Sequence, residues 1–158
     1  MREEFKPGMR IVKTSVAVAI CLLIAYAFSY YQPFYASIAA VLVMKSTPEQ
    51  SFRYGLDRLI GTLWGGLLGF VLLNLSFYFN IPAQSFTYIF IVVLLVFFDL
   101  WIAKIFSMRE YALSMSLILL LSVLLIHNDS LKEMNTYMIY RVLETLFGIV
   151  VALLVNRF

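Results

Sequence analysis

The chain has 158 residues, of which 63% are hydrophobic and 13% are charged, and its mean hydropathy is +0.91. A water-soluble domain of this length needs a larger share of polar residues, so the composition excludes a soluble globular protein and predicts the lipid bilayer as a partner. The net charge of +3 is small and no basic tail accompanies it, so nucleic acid is not a predicted partner.

The apolar residues form six blocks that suit membrane spans, since about 20 helical residues cross the roughly 30 Å hydrocarbon core. We therefore predict an all-α integral membrane protein that forms a single transmembrane domain over residues 1–158. Pro33 fits the first turn of the second helix, Pro48 marks its end, and Pro82 lies in the turn before the fourth. The six transmembrane helices are predicted at residues 11–31, 33–47, 57–79, 85–106, 110–127 and 137–157.

Lysine and arginine are distributed unevenly between the two predicted sides of the membrane. With a cytoplasmic N-terminus, ten of the twelve basic residues lie on the cytoplasmic side, and only Lys132 and Arg141 lie outside. Cytoplasmic loops carry such an excess, so both termini are predicted in the cytoplasm. A cleavable signal peptide ending near residues 25–27 is the less favoured alternative, because the apolar run continues past that point.

An eight-residue pattern occurs twice in the chain. Residues 58–65 read RLIGTLWG and residues 141–148 read RVLETLFG. These segments open the third and sixth predicted helices, which start on opposite sides of the membrane. The pattern therefore predicts two inverted three-helix repeats, at about residues 11–79 and 85–157, as in many transporters. The second and fifth helices are both short, which indicates a binding region or, alternatively, less tilt or misplaced helix ends.

Small residues recur every four positions on the third and sixth predicted helices. Such rows let two helix backbones approach closely, which drives helix association in lipid. We predict that these residues pack helices, and a narrow transport pathway lined by them is the alternative. They are Gly61, Gly65, Gly66, Gly69, Gly148 and Ala152.

Four charged residues fall within or at the edge of predicted spans. A charge at membrane depth costs several kcal/mol unless it is paired or hydrated, so Arg58, Asp99, Arg141 and Glu144 are candidate functional residues. Snorkelling or mutual neutralisation is the alternative, for example Asp99 with Arg58 or Lys104. Arg141 and Glu144 are three residues apart on one helix, so they can pair.

The two repeated arginines predict an anion path with one guanidinium near each mouth. A guanidinium gives a carboxylate two parallel hydrogen bonds, so Arg58 and Arg141 suit a carboxylate substrate. Trp64 and Phe147 occupy matching repeat positions, for which ordinary packing against lipid or neighbouring helices is the favoured interpretation and contact with an aromatic substrate ring is the alternative. Thr62 and Thr145 complete the predicted path.

The sequence contains none of the common catalytic patterns. It has no His or Cys pair at metal-ligand spacing, no phosphate-binding loop, and no Ser or Cys nucleophile with a nearby base. We therefore predict no enzymatic activity, no metal and no other cofactor.

Four segments carry a resemblance to a known family: residues 8–14 (GMRIVKT), Pro33 with residues 39–44 (AAVLVM), residues 55–62 (GLDRLIGT) and residues 141–156. In these the chain resembles the aromatic acid exporter family, within the fusaric acid resistance protein-like superfamily. The resemblance implies a six-helix module, often a homodimer, that exports aromatic carboxylic acids from the bacterial plasma membrane. It also connects Arg58 and Arg141 with anion passage.

The resemblance has one departure, at the C-terminal end. Many members continue into a cytoplasmic domain or a second membrane unit, and the given chain stops at Phe158. This implies either a compact member or a module that needs a further part. The predicted function is export of organic anions, with an anion channel or a non-transporting membrane anchor or assembly module as the alternatives.

Overall fold

The described part of the chain is built from six helices. In the computed structural model, residues 8–28, 33–79, 81–82, 85–126 and 131–157 are described, and they contain no strand. The all-α prediction and the number and order of the helices are confirmed. The helices are α1 (Met9–Ala27), α2 (Phe34–Val43), α3 (Pro48–Tyr78), α4 (Phe86–Ile105), α5 (Glu110–Ile126) and α6 (Leu131–Arg157). The predicted helix ends at residues 29–31 and 127 lie outside the described residues.

Four of these helices are long and apolar enough to cross a membrane. They are α1, α3, α4 and the part of α6 from Thr136 to Arg157. In contrast, α2 has 10 residues and α5 has 17. The two short helices are therefore the second and fifth, as the sequence predicted.

The start of α3 differs from the prediction. The helix begins at Pro48 rather than at residue 57, because proline fits the first helical turn, where its missing N–H is not needed. Glu49 follows in the same turn, where a negative side chain interacts favourably with the helix dipole. As a result, Arg58 lies inside α3 and not at its beginning. Similarly, α6 begins at Leu131 rather than at residue 137.

The chain divides into two compact units that do not follow the two sequence halves. The first unit is Met1–Leu56 with Leu143–Phe158, and the second is Asp57–Val142. In the first unit α1 packs against α2, and in the second α4 packs against α5. Because α3 and α6 each contribute to both units, each unit combines two consecutive helices with parts of α3 and α6.

In the second unit, glycines let the backbone of α3 lie directly on α5. A Cβ atom added at Gly61 would meet the carbonyl oxygen of Ala112, and one at Gly65 would meet that of Ser116. The contact is looser at Gly69, where the nearest atom is 3.4 Å away on Val123. Beyond these glycines α3 continues into an apolar core formed by Leu72, Leu73, Tyr88, Val92, Leu119, Leu120, Val123 and Leu124.

In the first unit, Gly148 of α6 makes the same type of contact with α2. A Cβ atom at Gly148 would meet the carbonyl oxygen of Ala36 and would lie 2.7 Å from the Cβ of Ala39. Gly148 and Gly65 occupy the same position in the eight-residue pattern. The matching glycines of the two halves therefore pack against the short helix of the opposite half.

Polar contacts join the N-terminal end of α1 to the C-terminal end of α6. Lys13 Nζ donates a hydrogen bond to the backbone oxygen of Asn156 at 3.1 Å. Asn156 Nδ2 donates to Ser51 Oγ at 2.7 Å and to the Lys45 carbonyl at 3.2 Å. Burial, and then the charge of Arg10, lowers the pKa of Lys45. The two helix ends thus lie on one side, as termini on the same side of a membrane require.

We expect Asn156→Ala to lower the free energy of unfolding by about 1–3 kcal/mol, because it removes the side-chain donor to the Lys45 carbonyl and one of the two donors to the buried Ser51 hydroxyl, the other being the Lys45 backbone N–H. The measurement is thermal unfolding of the purified protein in detergent. Asn74→Ala is the matched control, since the Asn74 amide donates only to the Phe70 carbonyl of its own helix. Equal unfolding temperatures for the two variants would contradict the structural role of Asn156.

Candidate functional site

The polar side chains of the predicted path are all buried, although they are divided between the two units. Those in the second unit are Arg58, Thr62, Asp99 and Arg141, and those in the first are Glu144 and Thr145. The aromatic members, Trp64 and Phe147, are half-buried. The polar groups therefore face the protein interior, where each needs a partner or a ligand.

Arg58 is a buried guanidinium with weak partners. Only 6% of the residue is exposed, and its Nη1 donates to the sulfur of Met115 at 2.9 Å. A thioether is a poor acceptor, and the buried Nε of Arg58 has no hydrogen-bond partner. No carboxylate among the described residues forms an ion pair with Arg58. Within the part of the chain that the structure describes, Arg58 therefore has neither an ion-pair partner nor a strong hydrogen-bond acceptor.

The acidic neighbour of Arg58 in sequence binds a different arginine. Asp57 Oδ2 lies 3.2 Å from Nη1 of Arg109, at the start of α5. The Arg109 side chain is 58% exposed, so this surface pair adds little stability, about 0–1 kcal/mol. Adjacent residues of a helix point about 100° apart, so Asp57 can face Arg109 while Arg58 turns inwards.

Asp99 is fully buried in α4 and is held by two neutral donors. Its Oδ1 accepts a hydrogen bond from Trp64 Nε1 at 2.9 Å. The Ser116 hydroxyl lies 3.1 Å from Oδ1 and 3.0 Å from Oδ2. Neither Arg58 nor Lys104, the cations predicted as alternatives for neutralising Asp99, is its partner. Ser116 was not among the predicted residues, because its only signal in the sequence is a polar residue within an apolar run.

Arg141 has an aromatic partner one turn earlier on α6. Its Nε donates to the Tyr137 hydroxyl at 2.6 Å, and the guanidinium carbon lies 4.8 Å from the Tyr137 ring centroid. Glu144 follows on the same helix and is also buried. The sequence analysis did not identify Tyr137 as a partner of Arg141, although their separation of four residues is the normal signal for side-chain contact on a helix.

In the second unit, Arg58 of α3 and Asp99 of α4 both have a hydrogen-bond partner on α5. On α5, Met115 contacts Arg58 and the next residue, Ser116, contacts Asp99. On α3, Arg58 is followed by Trp64, which binds Asp99. Among the described residues there is no cluster of three or more His, Cys, Asp or Glu that could hold a metal ion. The second unit therefore contains a buried guanidinium and a buried carboxyl group that have different partners.

Comparison with known families agrees with the resemblance drawn from the sequence. Residues 10–155 match the family described as fusaric acid resistance protein-like. Searches of curated proteins and of solved structures find no significant match. Members of this family are membrane transporters rather than enzymes, and the apolar helices fit a multi-pass membrane protein. Since the match includes almost the whole chain, the protein belongs to the fusaric acid resistance protein-like family.

Proposed function

We propose that this protein exports organic anions, in particular aromatic carboxylic acids, and that Arg58 binds the anionic group. The family supports a transport function. The observation that carries the anion assignment is the buried guanidinium of Arg58, which has no acidic partner among the described residues. Such a charge is costly to keep in a membrane protein, and a bound anion offsets that cost.

The geometry at Arg58 is suited to a carboxylate. Among the described residues, its Nε has no hydrogen-bond partner, and its Nη1 donates to the sulfur of Met115. A carboxylate oxygen is a much stronger acceptor than a thioether, so an entering anion can replace this sulfur contact. A planar carboxylate also accepts two parallel N–H bonds from one guanidinium, which gives orientation as well as affinity.

The aromatic part of the proposal rests on the family and on the sequence. Fusaric acid, which the family description names, is itself an aromatic carboxylic acid, and resistance to such a compound is consistent with export. An aromatic carboxylic acid combines a carboxylate with a flat ring. Phe147 is half-buried on α6 and is a candidate for contact with that ring.

We infer that the two sequence halves form an inverted repeat in which the third helix of each half packs against the other half. The contacts of Gly65 with α5 and of Gly148 with α2 support this, because matching positions make matching contacts with the opposite half. The excess of Lys and Arg supports cytoplasmic termini in a bacterial plasma membrane. In this proposal Arg58 recruits the anion, Arg141 and Glu144 mark its release, and two copies assemble as the family resemblance implies.

The direct test is anion flux in liposomes that contain the purified chain. Labelled benzenesulfonate is a suitable probe, because it stays charged and does not cross lipid as a neutral acid. We expect protein-dependent flux that benzoate inhibits and that benzamide, which has the same ring without the charge, does not. An absence of flux for well-folded protein, with and without a pH gradient, would contradict the proposal and favour an anchor or assembly module.

A further inference from the structure

We propose that Asp99 is a proton-binding site that controls the affinity of Arg58 for its anion, so that the anion and a proton bind together. This inference rests on the proposed function and adds a second ligand to the same site. It starts from the burial of Asp99, which is 0% exposed, and from the neutral character of both its partners.

The hydrogen bonds of Asp99 can accommodate both protonation states without a change of shape. Trp64 Nε1 is a donor only, so Oδ1 acts as an acceptor in either state. The Ser116 hydroxyl both donates and accepts, and it lies 3.0 Å from Oδ2. In the charged state Ser116 donates to the carboxylate. In the neutral state the proton resides on Oδ2, which donates it to Ser116 Oγ. The Ser116 hydroxyl proton then points away from the Asp99 carboxyl group.

Among the described residues, no charged group forms a hydrogen bond or an ion pair with Asp99. Among the described residues of the helices around it, Asp57 pairs with Arg109 and Tyr88 donates to the Leu124 carbonyl. Lys104 and Glu110 are exposed. None of the other titratable or charged groups on these helices is a hydrogen-bond or ion-pair partner of Asp99; they are Arg58 and Tyr78 on α3, Tyr111 on α5, and Tyr137, Tyr140 and Arg141 on α6.

Electrostatics then fixes the direction of the coupling. Consecutive residues of α5 contact the two groups, since Met115 reaches Arg58 and Ser116 reaches Asp99. An anion held by Arg58 is repelled by a negative Asp99, and buried charges are poorly screened by salt. Protonation of Asp99 removes that repulsion. Binding of the anion must therefore favour uptake of a proton, and the two effects are equal by thermodynamic linkage.

The experiment measures benzenesulfonate binding to the purified chain from about pH 5 to about pH 8. This probe keeps its charge throughout, so only the protein titrates. We expect the affinity of the wild-type protein to be about tenfold or more higher when Asp99 is protonated than when it is charged. Asp99→Asn keeps an acceptor for Trp64 and a donor for Ser116, and should bind with the high, low-pH affinity at every pH.

Asp57→Asn is the matched control, because it removes an acid that pairs with Arg109. It should retain the pH dependence of the wild-type protein. Persistent pH dependence in Asp99→Asn would overturn the inference while leaving the anion site intact. If the wild-type protein binds no benzenesulfonate at any pH, the proposed function itself fails.

A spectroscopic measurement tests the proton site independently of binding. In a Trp101→Phe background only Trp64 remains as an indole, and its Nε1 bonds directly to Asp99. Titration of Asp99 should shift the Trp64 emission over the same pH range in which affinity falls. Asp99→Asn should abolish this shift. An identical shift in that variant would contradict the assignment of the proton to Asp99.

Discussion

Gly65→Ala is expected to prevent the native packing of α3 on α5. The added methyl group would overlap the carbonyl oxygen of Ser116 and would lie 2.8 Å from its Cα. These are backbone atoms, so no side-chain rotation relieves the overlap and the two helices must separate. Overpacking typically costs about 1–3 kcal/mol and sometimes more, and we expect the upper end or beyond here. Thermal unfolding and size-exclusion profiles in detergent measure the effect.

Gly69→Ala provides the control on the same helix. Its added methyl group would lie 3.4 Å from a side-chain carbon of Val123, which is ordinary contact. Because alanine also favours a helix over glycine, this variant should be as stable as the wild-type protein. Gly148→Ala should behave like Gly65→Ala, since it meets the backbone of α2. If Gly65→Ala and Gly69→Ala unfold at the same temperature, the close approach of α3 and α5 is wrong.

Arg58→Gln is expected to abolish anion transport while leaving the protein folded. Loss of one partner of a buried charged contact costs about 2–5 kcal/mol, which corresponds to roughly a thirtyfold loss of affinity or more. Removal of an unpaired buried charge should also maintain or raise the unfolding temperature. Reduced flux together with undiminished stability distinguishes a ligand-binding arginine from a structural one. Flux of benzenesulfonate in liposomes and thermal unfolding are the two measurements.

The control for this substitution is Arg53→Gln. Arg53 lies on the same helix and is exposed, so the variant makes the same change of charge at a position outside the proposed site. Its flux should stay within about twofold of the wild-type value, as expected for an exposed charge that makes only screened contributions. Equal loss of flux in both variants would indicate a general effect of charge and not an anion site at Arg58.

The helices could be predicted from the sequence because lipid imposes a simple requirement. Every membrane span needs a long apolar block with satisfied backbone hydrogen bonds, so apolar blocks and prolines locate helices well. The same reasoning identified the short α2 and α5. The starts of α3 and α6 were missed, because polar residues at 49–56 and 131–136 continue a helix beyond its apolar block and hydropathy does not register them.

The partners of the charged residues were harder to predict, because they depend on which helices pack together. Opposite charge suggested Arg58 or Lys104 as the partner of Asp99, whereas the packing of α3 and α5 around α4 supplies Trp64 and Ser116. Likewise, the repeat identified Gly65 and Gly148 but could not indicate that each contacts the opposite half. A single sequence does not show which residues far apart in the chain are in contact. A charged residue in an apolar block can therefore be predicted as a candidate site residue, but its partner is identified only from the fold.

The most direct test of the account is equilibrium binding of benzenesulfonate to the purified protein and to Arg58→Gln. We predict that the wild-type protein binds one anion per chain, that benzoate displaces it, and that Arg58→Gln binds none at the same concentration. Undiminished binding to folded Arg58→Gln would contradict the central claim, because the buried guanidinium would then not be the group that holds the anion.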